Sequence, residues 1–304
     1  MAKSIAIAVA VACLGSLLAF GQTQTNANQP SRYVWWENAQ ISAGKGELFN
    51  KIIAQYRETS TTTAPDTYWI AGDPITGDSD RVTFVTFHDN MASVEKMLNA
   101  FEKVEQAITV KNASFEKEAG EAESGSHWAL AEYSKELSYR PDLVPIANTT
   151  WWASSLFNLK PGCEYEFNDV VKQVADVHKK AADNDHWIAY EIRAGYPEPS
   201  VLFVTPLRSL AELDQEPNAS SKEMFESAPM RQMFQRIGKE CIQHIESTYS
   251  RVDPKLSRVS QQMIAANPDF WTIKEEAPAM AATKKGKAAK EAVVPAAMKE
   301  KEKQ

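Results

Sequence analysis

Positive charge is in short supply in this sequence: 33 Lys and Arg stand against 40 Asp and Glu, giving a formal charge of -7. Phosphate binding needs clustered Lys and Arg, so nucleic acid is excluded as the main partner. Cysteine is scarcer still, with three in 304 residues. The five His residues show no i, i+4 spacing with a third donor, so no zinc or non-haem iron site is expected. Also missing are a Gly-rich phosphate loop, a GxSxG elbow and a Cys–His pair set in a recognisable motif. No motif implies a cofactor. Long apolar runs are absent beyond the first residues, which leaves nothing downstream to span a bilayer.

The start itself, "MAKSIAIAVAVACLGSLLAFGQTQ", has one Lys, an apolar run from Ile5 to Phe20, and small residues Ala19 and Gly21 before Gln22. That is the pattern of an export signal, expected at residues 1–21, and it places the mature chain in the periplasm or outside the cell. A membrane anchor and lipidation at Cys13 are the rivals. Residues 22–31 are polar and turn-rich and read as a linker. From Glu275 the chain is mostly Ala, Lys and Glu without an aromatic, and residues 275–304 are expected to be a disordered tail. Export leaves Cys163 and Cys241 in a compartment where disulfides survive.

Between these ends the sequence resembles itself. Trp35-Trp36 and Trp151-Trp152 lie 116 positions apart. Phe49-Asn50 and Phe167-Asn168 lie 118 apart, as do Trp69 of "YWIAG" and Trp187 of "HWIAY". Phe84 of "VTFVTF" matches Phe203 of "VLFVTP" at 119, and Leu143 of "YRPDL" pairs with Leu256 of "VDPKL" at 113. Ordered matches with small drifts in offset indicate a duplication, with one repeat at 32–147 and another at 148–274. Each repeat reads as a strand, a Gly-marked turn and an amphipathic helix, here carrying Phe49, Ile52, Ile53 and Tyr56 or Phe167, Val170, Val171 and Val174. Two strands linked by turn residues follow. Then come a short helix near Met91 or Leu210, a longer one at 124–138 or 229–248, and an extended piece with Pro.

That order is the β-α-β-β-α-β of a ferredoxin-like unit, whose bare sheet face needs covering. The expected fold is α+β: two tandem units packed sheet to sheet as a pseudo-dimeric α+β barrel. The aromatic first strand, the Pro161-Gly162 turn and the element order resemble the dimeric α+β barrel superfamily. Its branches include antibiotic-biosynthesis monooxygenase-like and NIPSNAP-like proteins, and the likeness is greatest to exported bacterial proteins carrying two such units. Because one chain closes its own barrel, a monomer or weak homodimer is expected. In this topology Cys163 and Cys241 fall near each other, as one bridge or as two buried thiols. Haem binding, known in the superfamily, would need an axial ligand. His244 on the expected last helix is the residue placed for it, although Ile245 continues that helix's apolar stripe.

Strand alternation sorts the candidate site. It turns Trp35 toward the helices and Trp36 into the barrel, with Trp151 and Trp152 divided in the same way. Ile188, Tyr190 and Ile192 read as helix-facing, which leaves Trp187, Glu191 and Arg193 pointing inward beside Trp69, with Asp73, Thr86 and Thr205 nearby. A lumen lined by Trp36, Trp69, Trp152, Trp187, Glu191 and Arg193 resembles a small-molecule pocket, with a filled lumen as the alternative. His186 has the intrinsic pKa for acid–base work, but its alternation with Ile188 makes a solvent-exposed strand start the expected place. The expected function is binding of a small apolar or aromatic molecule without a catalytic motif. The alternatives are a cofactor-independent monooxygenase-like enzyme acting on an electron-rich aromatic substrate, and an interaction protein with a filled lumen.

Overall fold

The computed structural model describes residues 30–78, 80–214 and 219–273. The expected signal peptide, nearly all of the linker and the expected tail lie outside the described residues. The first half runs β1 (Tyr33–Ile41), α1 (Gly46–Thr63), β2 (Trp69–Pro74), β3 (Arg81–His88), α2 (Met91–Lys111), α3 (Phe115–Ala122) and β4 (Glu123–Tyr133). The second runs β5 (Trp151–Leu159), α4 (Glu164–Ala181), β6 (Ile188–Ala194), β7 (Ser200–Leu207), α5 (Ala219–Glu226), α6 (Ala228–Glu240) and β8 (Ile242–Arg258), followed by α7 (Gln261–Ala266) and α8 (Pro268–Trp271). Gly44 (φ +74°) and Gly162 (φ +88°) make the left-handed turns that aim α1 and α4 back over the sheet. No helix among the described residues is long and apolar enough to cross a membrane.

The eight strands close into an antiparallel barrel in the order β1-β3-β2-β8-β5-β7-β6-β4. Closure leaves no sheet edge and buries the face that helices do not cover. Within each half the order is fourth, first, third, second, and the halves join at two seams, β2–β8 and β4–β6. One apolar cluster lies under each helical layer. Phe49, Ile52, Val104, Ile108 and Phe115 pack on Ala39 and Val82 in the first, and Phe167, Val170, Val171 and Ile237 pack on Leu159 and Ala189 in the second.

The register corrects the tryptophan correspondence. Ile41 pairs with Glu123 and Leu159 with Ile242, each just past a register shift at the same point of the strand. β1 and β5 therefore correspond at a spacing of 118, which sets Trp36 against Ser154 and Val34 against Trp152. The Trp pairs, 116 apart, stand two residues out of step. A shift of two keeps a side chain on the same face, so both second indoles still turn inward.

The "WIA" match has a bonding reason at the seams. The Trp69 indole N–H donates to the Leu256 carbonyl (2.8 Å), and the Trp187 indole N–H donates to the Leu137 carbonyl (2.7 Å). Two residues on, the Ala71 amide donates to Ser257 Oγ (2.8 Å) and the Ala189 amide to Ser138 Oγ (2.9 Å). Each half thus clasps the other by the same pair of bonds. Leu256 corresponds here to Leu137 and not to Leu143, which sits in the loop after β4.

Two helices are also reassigned. The long helix of the first half is α2, where Val94, Met97, Val104 and Ile108 are buried at helical spacing, and 123–133 is strand β4. In the second half the stripe Met230–Ile237 ends at Cys241, and the expected helix to 248 gives way to β8. Both misassigned segments are strands paired on both sides, β4 by β1 and β6 and β8 by β2 and β5. Long-range pairing outweighs local propensity there. Cys163, at the start of α4, and Cys241, at the end of α6, form a disulfide with Cα atoms 5.4 Å apart.

Candidate functional site

Inside the barrel the structure brings together Trp36 and Trp152 but none of the other four expected lumen residues. Trp36 stacks on Tyr196 with centroids 5.8 Å apart. The Tyr196 hydroxyl accepts from Asn38 Nδ2 (3.1 Å), Thr83 donates to Asn38 Oδ1 (2.7 Å), and Arg81 pairs with Glu246 (2.9 Å). The space left among these groups is about 120 Å³. Pockets for small molecules run to about 300–1,000 Å³. Side chains largely fill the lumen, as is usual for an eight-stranded barrel.

The alternation of β6 is opposite to the expected one. Ile188, Tyr190 and Ile192 face the lumen, while Ala189 packs under α4. Glu191 and Arg193 therefore point outward, where Arg193 pairs with Glu132 (2.9 Å) and Glu191 (3.3 Å). Both faces of this strand are buried along its first part, so apolar content alone does not tell them apart. Only small Ala189 fits beneath the helix, and the charged pair emerges past it. Trp69 and Trp187 are also outward, spent on the seam bonds. Thr86 and Thr205 take the outward register as well.

The roomy cavity lies elsewhere, between the outward face of β1, β3 and β4 and the helices α1–α3. It measures about 550 Å³. Its aromatic walls are Trp35, Trp69, Trp128, Tyr56, Phe84 and Phe101. Trp35 and Trp128 meet at 53° with centroids 6.0 Å apart, and Trp69 meets Phe101 at 57° and 5.8 Å. Trp128 is 43% exposed and stands at the open side next to Ser124, Gly125 and Ser126. Its indole N–H donates to Ser126 Oγ (2.9 Å), whereas the Trp35 Nε1 is buried without a partner among the described residues.

One difference between the halves lies at the opening. At the spacing of 118, Ala39 corresponds to Phe157. In the second half Phe157 packs against Phe167 (5.4 Å) and Phe203 (5.6 Å) and fills the space. In the first half the counterparts Phe49 and Phe84 remain, and Ala39 leaves the room beside them empty of side chain. Once the halves are aligned at 118, the outward face of β1 reads Trp35, Glu37, Ala39 against Ala153, Ser155, Phe157. That contrast is the sequence signal for the chamber.

The chamber is acidic. Glu37 on β1, Glu105 on α2 and Glu123 on β4 line it, with no Lys, Arg or His. Burial first, and then the charge of Glu123, push the Glu37 carboxyl up to about 8, against a small opposing effect of Ser126. Burial also raises Glu123, and it raises the Tyr56 hydroxyl with help from the three glutamates. Haem needs an axial donor and cationic partners for its propionates. The chamber has no His, Cys or Met as an axial donor and no Lys or Arg for propionates. Burial holds its one tyrosine, Tyr56, away from the phenolate a haem iron takes, so its lining does not fit haem. His244 lies exposed on β8 rather than on a helix.

Three other histidines, His186, His88 and His178, serve the scaffold. His186 is buried, not solvent-exposed, with Nε2 2.7 Å from the Pro206 carbonyl and Nδ1 3.2 Å from that of Asn184. His88 is buried beside the Thr86 hydroxyl (2.8 Å) and is pushed down to about 4 by desolvation. His178, near the end of α4, has Nδ1 2.8 Å from Asp183 and 2.9 Å from Asp185, fixing the loop that leads into β6. Burial alone would lower its pKa, but the two carboxylates outweigh it and the pKa is raised. A raised folded value adds stability that is complete below the unfolded pKa of about 6.5 and fades as pH climbs through the folded one. His178→Gln is therefore expected to lower Tm more at pH 6 than at pH 9. An equal deficit at both would refute the ion-pair account.

No family model matches the chain, and no curated protein matches it. Solved structures with a similar chain path include an anthrone oxidase-like protein (10% identity, 75% of this chain and 93% of that one, TM-score 0.45). A mutant chlorite dismutase from Candidatus Nitrospira defluvii is similar at 7% identity over 76% of this chain and 94% of its own, with a TM-score of 0.45. A heme-binding protein from Thermus thermophilus is similar at 9% identity over 78% and 95%, with a TM-score of 0.42. At such identities the likeness concerns the α+β barrel path and assigns neither ligand nor reaction.

Proposed function

We propose that this protein binds a small apolar or aromatic molecule in the chamber between α1–α3 and the barrel wall. The reading rests on the cavity of about 550 Å³ that opens at Ala39, where the other half carries Phe157. Its volume lies inside the range of small-molecule sites, and three indoles supply apolar walls with oriented polar groups between them. We read the two halves as tandem copies of one ferredoxin-like unit, in which the second filled its chamber and the first kept it open. The recurring bulge and seam bonds support that descent. Read as an export signal, residues 1–21 make the ligand one met outside the cytoplasm.

The test is tryptophan fluorescence against a library of quinones, phenolics and fatty acids. Saturable quenching by some member is expected, and Ala39→Phe is expected to weaken it at least about tenfold by filling the site, a loss of about 1.4 kcal/mol. Quenching that survives Ala39→Phe but disappears in Trp36→Phe would move the site to the lumen. No response to any compound would favour an interaction role.

Glu37 favours a second reading, a monooxygenase-like enzyme without a cofactor. A carboxylate that titrates at about 8 inside an aromatic chamber is suited to remove a phenolic proton, making the substrate electron-rich enough to reduce oxygen. Oxygen uptake with a bound phenol, lost in Glu37→Gln while binding persists, would identify the enzyme.

A further inference from the structure

We infer that the molecule taken by this chamber is an organic cation: a quaternary ammonium or protonated amine on an apolar body. The inference rests on the chamber being the binding site and adds the charge of its occupant.

The chamber's lining has one sign only. Glu37, Glu105 and Glu123 reach it from β1, α2 and β4, and none of the three forms an ion pair among the described residues. Elsewhere Asp183, in the loop before β6, is compensated by His178, whereas burial and then the neighbouring Asp253 push Asp73 up to about 6. A carboxyl in a partly desolvated cavity either keeps its proton, as Glu37 does below about 8, or stays ionised at a cost in free energy that an incoming positive charge offsets and an incoming anion increases. The same cavity is walled by electron-rich rings. Indoles are the best cation–π partners, and Trp35 and Trp128, tilted at 53°, form a corner that presents two faces to one ligand group. Carboxylates together with a tryptophan corner are the two devices that recognise an alkylammonium group. A neutral aromatic uses only the rings and leaves the partly buried Glu37 and Glu123 without a counter-charge.

The groups facing Glu37 across the chamber are Glu123 and Ser126 on β4, Tyr56 on α1 and Glu105 on α2. The lining residues from α3, Ala119, Gly120 and Ala122, carry no charge. A cation therefore binds best once Glu37 is ionised. With a quaternary ammonium, whose charge is independent of pH, the affinity reports on the protein alone.

The experiment is titration calorimetry of the full chain with phenyltrimethylammonium and its uncharged carbon isostere, tert-butylbenzene. The cation is expected to bind at least about tenfold tighter, the equivalent of about 1.4 kcal/mol. Its affinity should rise with pH between 6 and 8, by up to about tenfold per unit, as Glu37 loses its proton. Glu37→Gln should flatten that rise. Glu105→Gln, at an exposed helix position that the fold does not depend on, should reduce the preference for the cation. Equal affinities for the two compounds would overturn the cation assignment while leaving the chamber as a neutral aromatic site. Cation binding unaffected by Ala39→Phe would overturn the chamber reading itself.

Discussion

Gly72→Ala is expected to destabilise the barrel by about 3 kcal/mol, at the upper end of what overpacking a core costs. Gly72 lies in β2 at the β2–β8 seam, opposite Val252. A Cβ at this position would stand 2.2 Å from Trp152 Cζ2, 2.7 Å from Cη2 and 2.9 Å from Cε2. These atoms belong to the body of a rigid ring held inside the lumen, so the relief available is a movement of the whole indole or of the strand. For a domain of this size the corresponding fall in Tm is about 6–12 °C. Trp152→Leu in the same chain removes the obstructing ring, so the double variant should recover part of the loss, with a coupling energy of about 1–2 kcal/mol. Gly72→Ala with an unchanged Tm would mean that Trp152 does not lie inside the barrel against β2.

The second large effect belongs to the disulfide. Cys163 and Cys241 are 78 residues apart in sequence, and the bridge ties the start of α4 to the junction of α6 and β8. Cross-linking a loop of that length restricts the unfolded chain by up to about 4.5 kcal/mol in the chain-entropy model, and measured values mostly fall at about 2–4 kcal/mol. The Cys163→Ala, Cys241→Ala double variant is expected to lose an amount in that range in denaturant unfolding, and reductant should lower the wild-type midpoint to match. Alkylation followed by mass spectrometry should label neither residue before reduction. Labelling of both in the native chain would dispose of the bridge and of the stability assigned to it.

Much of the fold is legible in the residues because its local signals agree with its long-range ones. The stripes Phe49, Ile52, Ile53 and Phe167, Val170, Val171 mark α1 and α4, and the glycines before them mark the turns. The "WIA" repeat marks a seam, and the structure supplies its reason: an indole N–H and an alanine amide each find an acceptor on the opposite half. Sequence and structure part where one pattern has two explanations. A strand buried on both faces offers no amphipathic contrast, so the residues of β6 suggest the opposite alternation and carry Glu191 and Arg193 inward with it. β4 and β8 depend for their pairing on strands far away in the sequence, and their local composition resembles that of the helices before them.

The chamber is legible only in part. Trp35 and Glu37 stand out on β1, but a cavity is a property of what fails to reach a place, and no residue announces that. Comparing Ala39 with Phe157 reveals it only after the two halves are aligned by strand register.

By itself, the sequence determined the acidic balance, the recurring order of strands and helices, the inward turn of Trp36 and Trp152, and the proximity of Cys163 and Cys241. These follow from composition, from periods of two and 3.6 residues, and from topology. The tertiary structure alone decided that the lumen is largely filled, that Trp69 and Trp187 bind the halves together, and that the roomier space lies under α1–α3 with three glutamates around it. Volume and charge compensation are sums over side chains from distant parts of the chain, and only folding brings those side chains together.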